Sequence, residues 1–214
     1  MSGAVPAGVL EAAGRALAAE SARFAAMGWM RGTSGNLSVV LGRDPLRLAV
    51  TVSGLDKGEL TSGDVVVVDE HGQAVPDQPH PELPPSAEAA LHARVAARTG
   101  AGAVVHVHSM AAVLAGHWYP GGLALRDLEM LKGLGRAAHD ETVTVPVVPN
   151  SQDMDEIAAA WEPRWDGQVP VFVVARHGMY AWGRDLAQAR HHTEIAEFLM
   201  TFAVETRPGG ALGA

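Results

Sequence analysis

The stretch Ala103-Val104-Val105-His106-Val107-His108 constrains this chain more than any other. Its β-branched density and the flanking glycine mark a buried strand, and a short helix from Met110 to Ala115 follows directly. Successive strand residues point to opposite faces, so His106 and His108 share one face and both imidazoles can reach a single cation at about 2.1 Å. Two histidines on a buried strand can also be core residues with satisfied hydrogen bonds, so their neighbours decide the matter.

The chain contains no cysteine. Disulfides, thiolate catalysis and sulfur-ligated metal are thereby excluded, and histidine and carboxylate remain as ligands. A third histidine, His177, stands just beyond the β-type run 171–175 in Arg176-His177-Gly178, where the glycine lets the backbone turn and the ring face inward. Three neutral nitrogens leave one coordination position open, as catalytic zinc requires. The other histidines, such as His139, His191 and His192, have no comparable partners.

Around this centre the periodicities predict an α/β sandwich, with helices covering a largely antiparallel sheet. Leu10, Leu17 and Phe24 recur at helical spacing over 9–27, and Gly28 supplies the stop. Residues 37–40, 46–52 and 65–68 read as strands, 69–72 as a hairpin turn and the proline-rich 76–85 as a surface loop. Ser86 reads as the N-cap of a helix over 87–98. Further strands are expected at 143–147 and 171–175, separated by a helix beginning near Gln152, and a last helix from Asp185 past Leu199. The Gly/Ala-rich tail after Pro208 reads as mobile. A length of 214 residues suits one domain, 1–214, with its ordered core at about 9–204.

Two carboxylates stand where a base is useful. Glu88 opens the helix before the His-x-His strand, and Glu129 lies in Asp-Leu-Glu-Met-Leu-Lys-Gly, too apolar for an exposed charged face. For Glu88 alone, an acid in a helix's first turn is equally well explained by the dipole. Thr33-Ser34-Gly35-Asn36-Leu37-Ser38 and Thr51-Val52-Ser53-Gly54 each put hydroxyls and a glycine at a strand edge, where donors can converge on an anion such as a phosphate monoester. Against fourteen arginines the chain has only two lysines, Lys57 beside the second of these loops and Lys132 three residues after Glu129. A compact ammonium suits a buried phosphate or oxyanion.

A formal charge of −8 and pI near 5.6 argue against nucleic-acid or anionic-membrane partners, which need a basic footprint. Neither a signal peptide nor a membrane span is expected, because no basic segment precedes an apolar stretch and no run of about 18 apolar residues occurs. A small-molecule substrate and a cytoplasmic setting follow.

In order and spacing, Gly32 to Ser38, Val52-Ser53-Gly54, Pro85-Ser86-Ala87-Glu88 with Leu91-His92, His106-Val107-His108-Ser109 and Arg176-His177-Gly178 resemble the class II aldolase/adducin family over residues 9–204. The resemblance implies a three-layer α/β/α sandwich and a homotetramer with active sites near subunit contacts. It also implies one zinc per subunit on His106, His108 and His177, and a substrate phosphate held by Ser34, Gly35, Asn36, Ser53 and Gly54, with Lys57, Ser86 and Ser109 beside them. Residues 128–133, 145–154 and 177–183 resemble one branch of the family, whose reaction is loss of water from a phosphorylated ketose. In that branch the glutamate matching Glu129 is the acid/base, whereas the one matching Glu88 transfers the proton in the aldolases. Met110, Trp118 and Tyr180 are candidates for an apolar wall at the far end of the substrate. Two alternatives stay open: aldol cleavage or epimerisation on the same scaffold with Glu88 as base, and a non-catalytic module like the adducin head.

Overall fold

Continuous valine-rich runs make the middle layer, because a strand covered on both faces has no polar side to alternate with. The computed structural model describes residues 5–135 and 140–207; His139 and the tail after Pro208 lie outside them. The first half of the chain runs α1 (Ala7–Ala26), β1 (Asn36–Arg43), β2 (Leu46–Thr51), β3 (Val65–Val68), α2 (Ala89–Thr99), β4 (Ala103–Val107) and α3 (Met110–Trp118). The second half runs β5 (Leu123–Leu125), a 3-10 turn (Glu129–Leu134), β6 (Val143–Val145), β7 (Val147–Val148), α4 (Met154–Trp161), β8 (Val171–Val174), β9 (Gly178–Gly183) and α5 (Leu186–Glu205).

Seven strands form one sheet in the order β3-β2-β1-β4-β9-β8-β7. Every pairing is antiparallel except β7 with β8. The two-residue period sorts the layers. Ala103, Val105, Val107, Met179 and Ala181 face a core shared with residues of α1, α3 and α5. Val104, Phe172, Val174, Tyr180 and Trp182 face the other core, with Leu91 of α2 and Ile157 and Trp161 of α4. The expected α/β/α sandwich with a largely antiparallel sheet is thus present. Among the described residues no helix is long and apolar enough to cross a membrane.

Several expectations need correction. β9 was not anticipated, since Gly-Met-Tyr-Ala-Trp-Gly has no β-branched residue and no polar alternation, yet it lies between β4 and β8. The run 143–147 is two strands, because Pro146 has no N–H to continue a ladder; its carbonyl instead accepts from Val173 N–H at 2.9 Å. β5 and β6 form a separate ribbon that the sequence reading missed. α2 starts at Ala89, two residues late, and the Ser86 hydroxyl accepts the Glu88 N–H at 3.2 Å in the turn before it.

Gly14, inside α1, lets the helix touch the loop before β3. Alanine in a helix interior normally gains about 1 kcal/mol over glycine, but a Cβ at Gly14 would stand 2.1 Å from the Ser62 carbonyl oxygen. Such overpacking typically costs about 1–3 kcal/mol, so the clash wins. Gly14→Ala should lower unfolding stability by about 1–2 kcal/mol, whereas Gly8→Ala, whose Cβ meets nothing within 4 Å, should be neutral or raise it by about 0.5 kcal/mol. Urea unfolding of both variants checks this, and a Gly14→Ala protein as stable as wild type would refute the contact.

Candidate metal centre and cleft

His106 is the penultimate residue of the sheet's central strand, His108 lies one residue past its end, and His177 lies in the turn joining β8 to β9. That turn places Arg176 at φ 58, a left-handed conformation unfavourable for a side-chain-bearing residue, immediately before the histidine. Gly178 is needed because a Cβ there would lie 2.4 Å from the Val107 carbonyl oxygen and 3.0 and 3.1 Å from the His108 and His106 rings. The ligand nitrogens of His106, His108 and His177 all lie within 4.8 Å of one another, the one such grouping of histidine and carboxylate among the described residues.

Hydrogen bonds decide which nitrogen faces inward. His106 Nδ1–H donates to the Met179 carbonyl at 3.0 Å and His177 Nδ1–H to Asn150 Oδ1 at 3.2 Å, so both rings turn an Nε2 lone pair to the centre. His108 Nε2 stands 2.8 Å from His106 Nε2. Glu88 Oε2 lies 3.3 Å from His106 Nε2, and Oε1 3.3 Å from His177 Nε2. Converging lone pairs and a carboxylate repel unless a cation lies among them, and the nitrogen–oxygen donor set suits a divalent ion with an open position. The residues therefore fit a bound metal.

Burial keeps His106 and His108 neutral, as metal ligands must be. Burial, then the fields of His106 and His177, brings His108 down to about 3. Burial with His106 brings His92 to about 3, and burial lowers His106 against the pull of Glu88. For Glu88 burial works against the charge, but His106, the Asn36 amide and His177 outweigh it and hold the carboxyl at about 2. Glu88 is ionised at neutral pH.

A cleft of about 250 Å³ opens beside this centre, and Ser34, Gly35, Asn36, Ser53, Gly54, Lys57, Ser86, Glu88, His108 and His177 all line it. Lys57 Nζ donates to the carbonyls of Leu55 at 2.8 Å and Thr33 at 3.2 Å, leaving the third donor of its ammonium for an anion. Three expectations fare differently. Ser109 is fully buried and its hydroxyl accepts the Ala112 N–H at 3.2 Å, so it caps α3 and does not reach the cleft. Glu129 does not line its own chain's cleft; its side chain is 75% exposed and paired with Lys132 Nζ at 2.6 Å. None of Met110, Trp118 and Tyr180 lines it either: Met110 and Trp118 are exposed, and Tyr180 is buried, its ring stacked 4.1 Å from that of His106. Thr33 of the first Ser/Gly loop lines it too, and the sequence reading gave no site role to Ser151, Gln152 and Met154, which also line it, or to Asn150, which orients His177. The polar run 150–154 at the sheet's edge was the available signal.

Acid should expose the cost of keeping these rings neutral. Unfolded histidine binds a proton near pH 6.5, whereas folded His92, His106 and His108 resist it to much lower pH. The unfolded state then holds more protons, and stability is lost as pH falls from about 6.5 toward 3. Below about pH 4.5 the loss of the Glu88 contribution adds to it. In excess chelator, unfolding stability should drop by about 1 kcal/mol or more per pH unit between pH 6.5 and 5. Urea titrations at both pH values measure it, and a flat profile would mean that the rings take up protons without unfolding.

Comparison with known proteins agrees with this geometry. Residues 15–204 match the class II aldolase and adducin N-terminal domain. A methylthioribulose-1-phosphate dehydratase of Persephonella marina is 37% identical over 177 residues, 82% of this chain and 81% of that one. The enzyme of the same name from Methylococcus capsulatus is 40% identical over 197 residues, 89% and 92% of the two chains. Among solved structures, YgbL of Klebsiella pneumoniae, a putative aldolase/epimerase/decarboxylase, superposes with a TM-score of 0.74 at 25% identity, covering 92% of each chain. Sequence match, sheet order and the histidine centre agree, and the chain belongs to the class II aldolase and adducin family.

Proposed function

We propose that this chain is a zinc-dependent hydro-lyase that removes water from 5-methylthioribulose 1-phosphate to give 2,3-diketo-5-methylthiopentyl 1-phosphate, a step of methionine salvage. It acts as a cytoplasmic homotetramer of single-domain subunits, with one zinc in each. What carries this reading is the union, in one cleft, of a three-histidine centre with a donor-rich end suited to a phosphate monoester. The relatives named methylthioribulose-1-phosphate dehydratase support the choice of reaction.

Zinc on His106, His108 and His177 would polarise the ketose oxygens and make the adjoining C–H acidic. At the other end Ser34, Ser53 and Ser86, the backbone at Gly35 and Gly54, and the spare Lys57 donor grip the phosphate, and this remote binding orients the reacting carbons. A carboxylate takes the C3 proton, the C4 hydroxyl leaves as water on protonation, and the enol so formed becomes the diketone. One water is lost and no electrons change hands. Glu129 is the acid/base of this reading, with ionised Glu88 orienting the reacting end beside the histidines. Since Glu129 is exposed and off its own cleft, it serves a neighbouring subunit's cleft. Exposed Trp118, Met130, Phe198 and Phe202 are apolar surface of the kind a subunit contact covers.

A second reading, aldol cleavage or epimerisation with Glu88 as base, is favoured by one observation: Glu88 alone of the two glutamates faces the histidines. A non-catalytic adducin-like module has no use for the converging imidazoles.

Mixed assemblies test the first reading. His106→Ala and Glu129→Gln should each reduce dehydration by about 10²-fold or more, and Glu88→Gln by about tenfold. Co-assembled His106→Ala and Glu129→Gln subunits should regain about a quarter of the wild-type sites, those pairing an intact centre with an intact glutamate. No recovery on mixing would refute a glutamate working across subunits. Release of a three-carbon ketose phosphate from a sugar 1-phosphate, abolished by Glu88→Gln, would establish the second reading.

A further inference from the structure

Behind the cleft a buried polar chain ends on Glu88. Ser38 Oγ lies 2.8 Å from His92 Nδ1, His92 Nε2 lies 2.5 Å from Asn36 Oδ1, and Asn36 Nδ2 lies 2.6 Å from Glu88 Oε2. Ser38 and His92 are fully buried, and Asn36 is 5% exposed. Local structure dictates this two-by-two arrangement. Asn36 and Ser38, two apart on β1, share a face. Glu88 and His92, four apart at the start of α2, lie one above the other on a helical turn. Asn36 is also the register partner of His106.

The direction of every bond is forced from one end. An ionised carboxylate only accepts, so Asn36 presents its amide N–H to Glu88 and turns its oxygen back to His92. That oxygen only accepts, so His92 carries its proton on Nε2, and the neutral ring accepts the Ser38 hydroxyl at Nδ1. The ring is held edge-on to Tyr180, centroids 5.7 Å apart, and Tyr180 stacks on His106. Without the His92 donor, nothing in this chain of bonds stops the Asn36 amide from flipping and setting its oxygen against the carboxylate.

We infer that His92 is a positioning residue: as an Nε2–H donor it locks the Asn36 amide, and through it the Glu88 carboxylate beside the histidine centre. The inference rests on the proposed reaction only where turnover is the readout. A residue that merely fills space would be replaced best by an apolar side chain of similar volume. A donor in one fixed place is replaced best by glutamine, whose amide nitrogen falls where Nε2 was, and poorly by asparagine, whose nitrogen falls nearer Nδ1.

The test combines kinetics with the tautomer. In the zinc-loaded protein, His92→Leu and His92→Asn should lower kcat about tenfold with KM within about twofold, and His92→Gln should recover most of it. In a Glu88→Gln background His92→Leu should add little further loss, because both act through one carboxylate. Long-range 1H–15N correlation of histidine-labelled wild-type protein, with the His92 signals identified by their absence in His92→Gln, should show the neutral Nε2–H tautomer. Equal impairment by leucine and glutamine, additive losses, or an Nδ1–H or doubly protonated ring would each overturn the inference. Should the wild-type protein leave the ketose phosphate intact, the dehydratase reading falls and the tautomer alone decides the role of His92.

Discussion

The pairing of β4 with β9 holds the centre together. Five register pairs, from Ala103 with Gly183 to Val107 with Met179, set His106 beside Tyr180. The Met179 carbonyl comes within reach of His106 Nδ1, and the β8–β9 turn brings His177 over the strand's end. Because β9 also pairs with β8, His177 is carried on a backbone tied at both sides. A one-residue slip of β9 would turn Tyr180 to the other core and lift Gly178 off the histidines. Sheet register is therefore also ligand geometry.

Burying an ionised carboxylate is costly unless its oxygens are met. Glu88 offsets part of that cost because Asn36 donates to one oxygen, while the Nε2 atoms of His106 and His177 stand 3.3 Å from its two oxygens, where a cation would draw all of them together. Three of the histidines are in turn committed elsewhere: His106 to a backbone carbonyl, His177 to Asn150, His92 to Ser38 and Asn36. With those donors occupied, His106 and His177 turn their lone pairs to the centre. A stiff, pre-directed set of this kind discriminates by geometry and charge, since little can relax to suit a poor guest.

Much of this was legible in the sequence, for identifiable reasons. The His-x-His spacing on an apolar run, the missing cysteine and the glycine after His177 depend on local chemistry and strand period, and the three rings do converge. The Ser/Gly loops and Lys57 were legible because small residues and a rare lysine clustered at strand edges. β9 was not, because a strand buried on both faces and built from Met, Tyr, Ala and Trp carries no periodic signature. Ser109 shows a related limit: a serine between a candidate ligand histidine and a helix serves equally as cap or substrate contact, and only the fold reveals the Ala112 N–H it satisfies. The His92 chain was hidden because its four members come from β1 and the start of α2, more than fifty residues apart, so no local spacing joins them.

The cleft's hydroxyl and ammonium donors come from the loop before β1, from residues 52–57 and from the turn before α2, whereas the histidines come from the end of β4 and the β8–β9 turn. Asn36 and Glu88 belong to both sets: each lines the cleft, and together they join α2 to the strand that pairs with β4. A phosphate held there, as the proposed function requires, would bear on the same pair that sets the carboxylate at the histidine end. Under the proposed reaction this coupling would let remote binding act on the reacting carbons with little loss to flexing. It also separates what the scaffold provides from what selects a reaction. Under the proposed function, a metal on the three histidines, a grip on the phosphate and one oriented carboxylate would serve several carbon acids equally well. Under the proposed dehydration the choice falls to a second carboxylate on a surface segment outside this framework, where it can change without disturbing the centre.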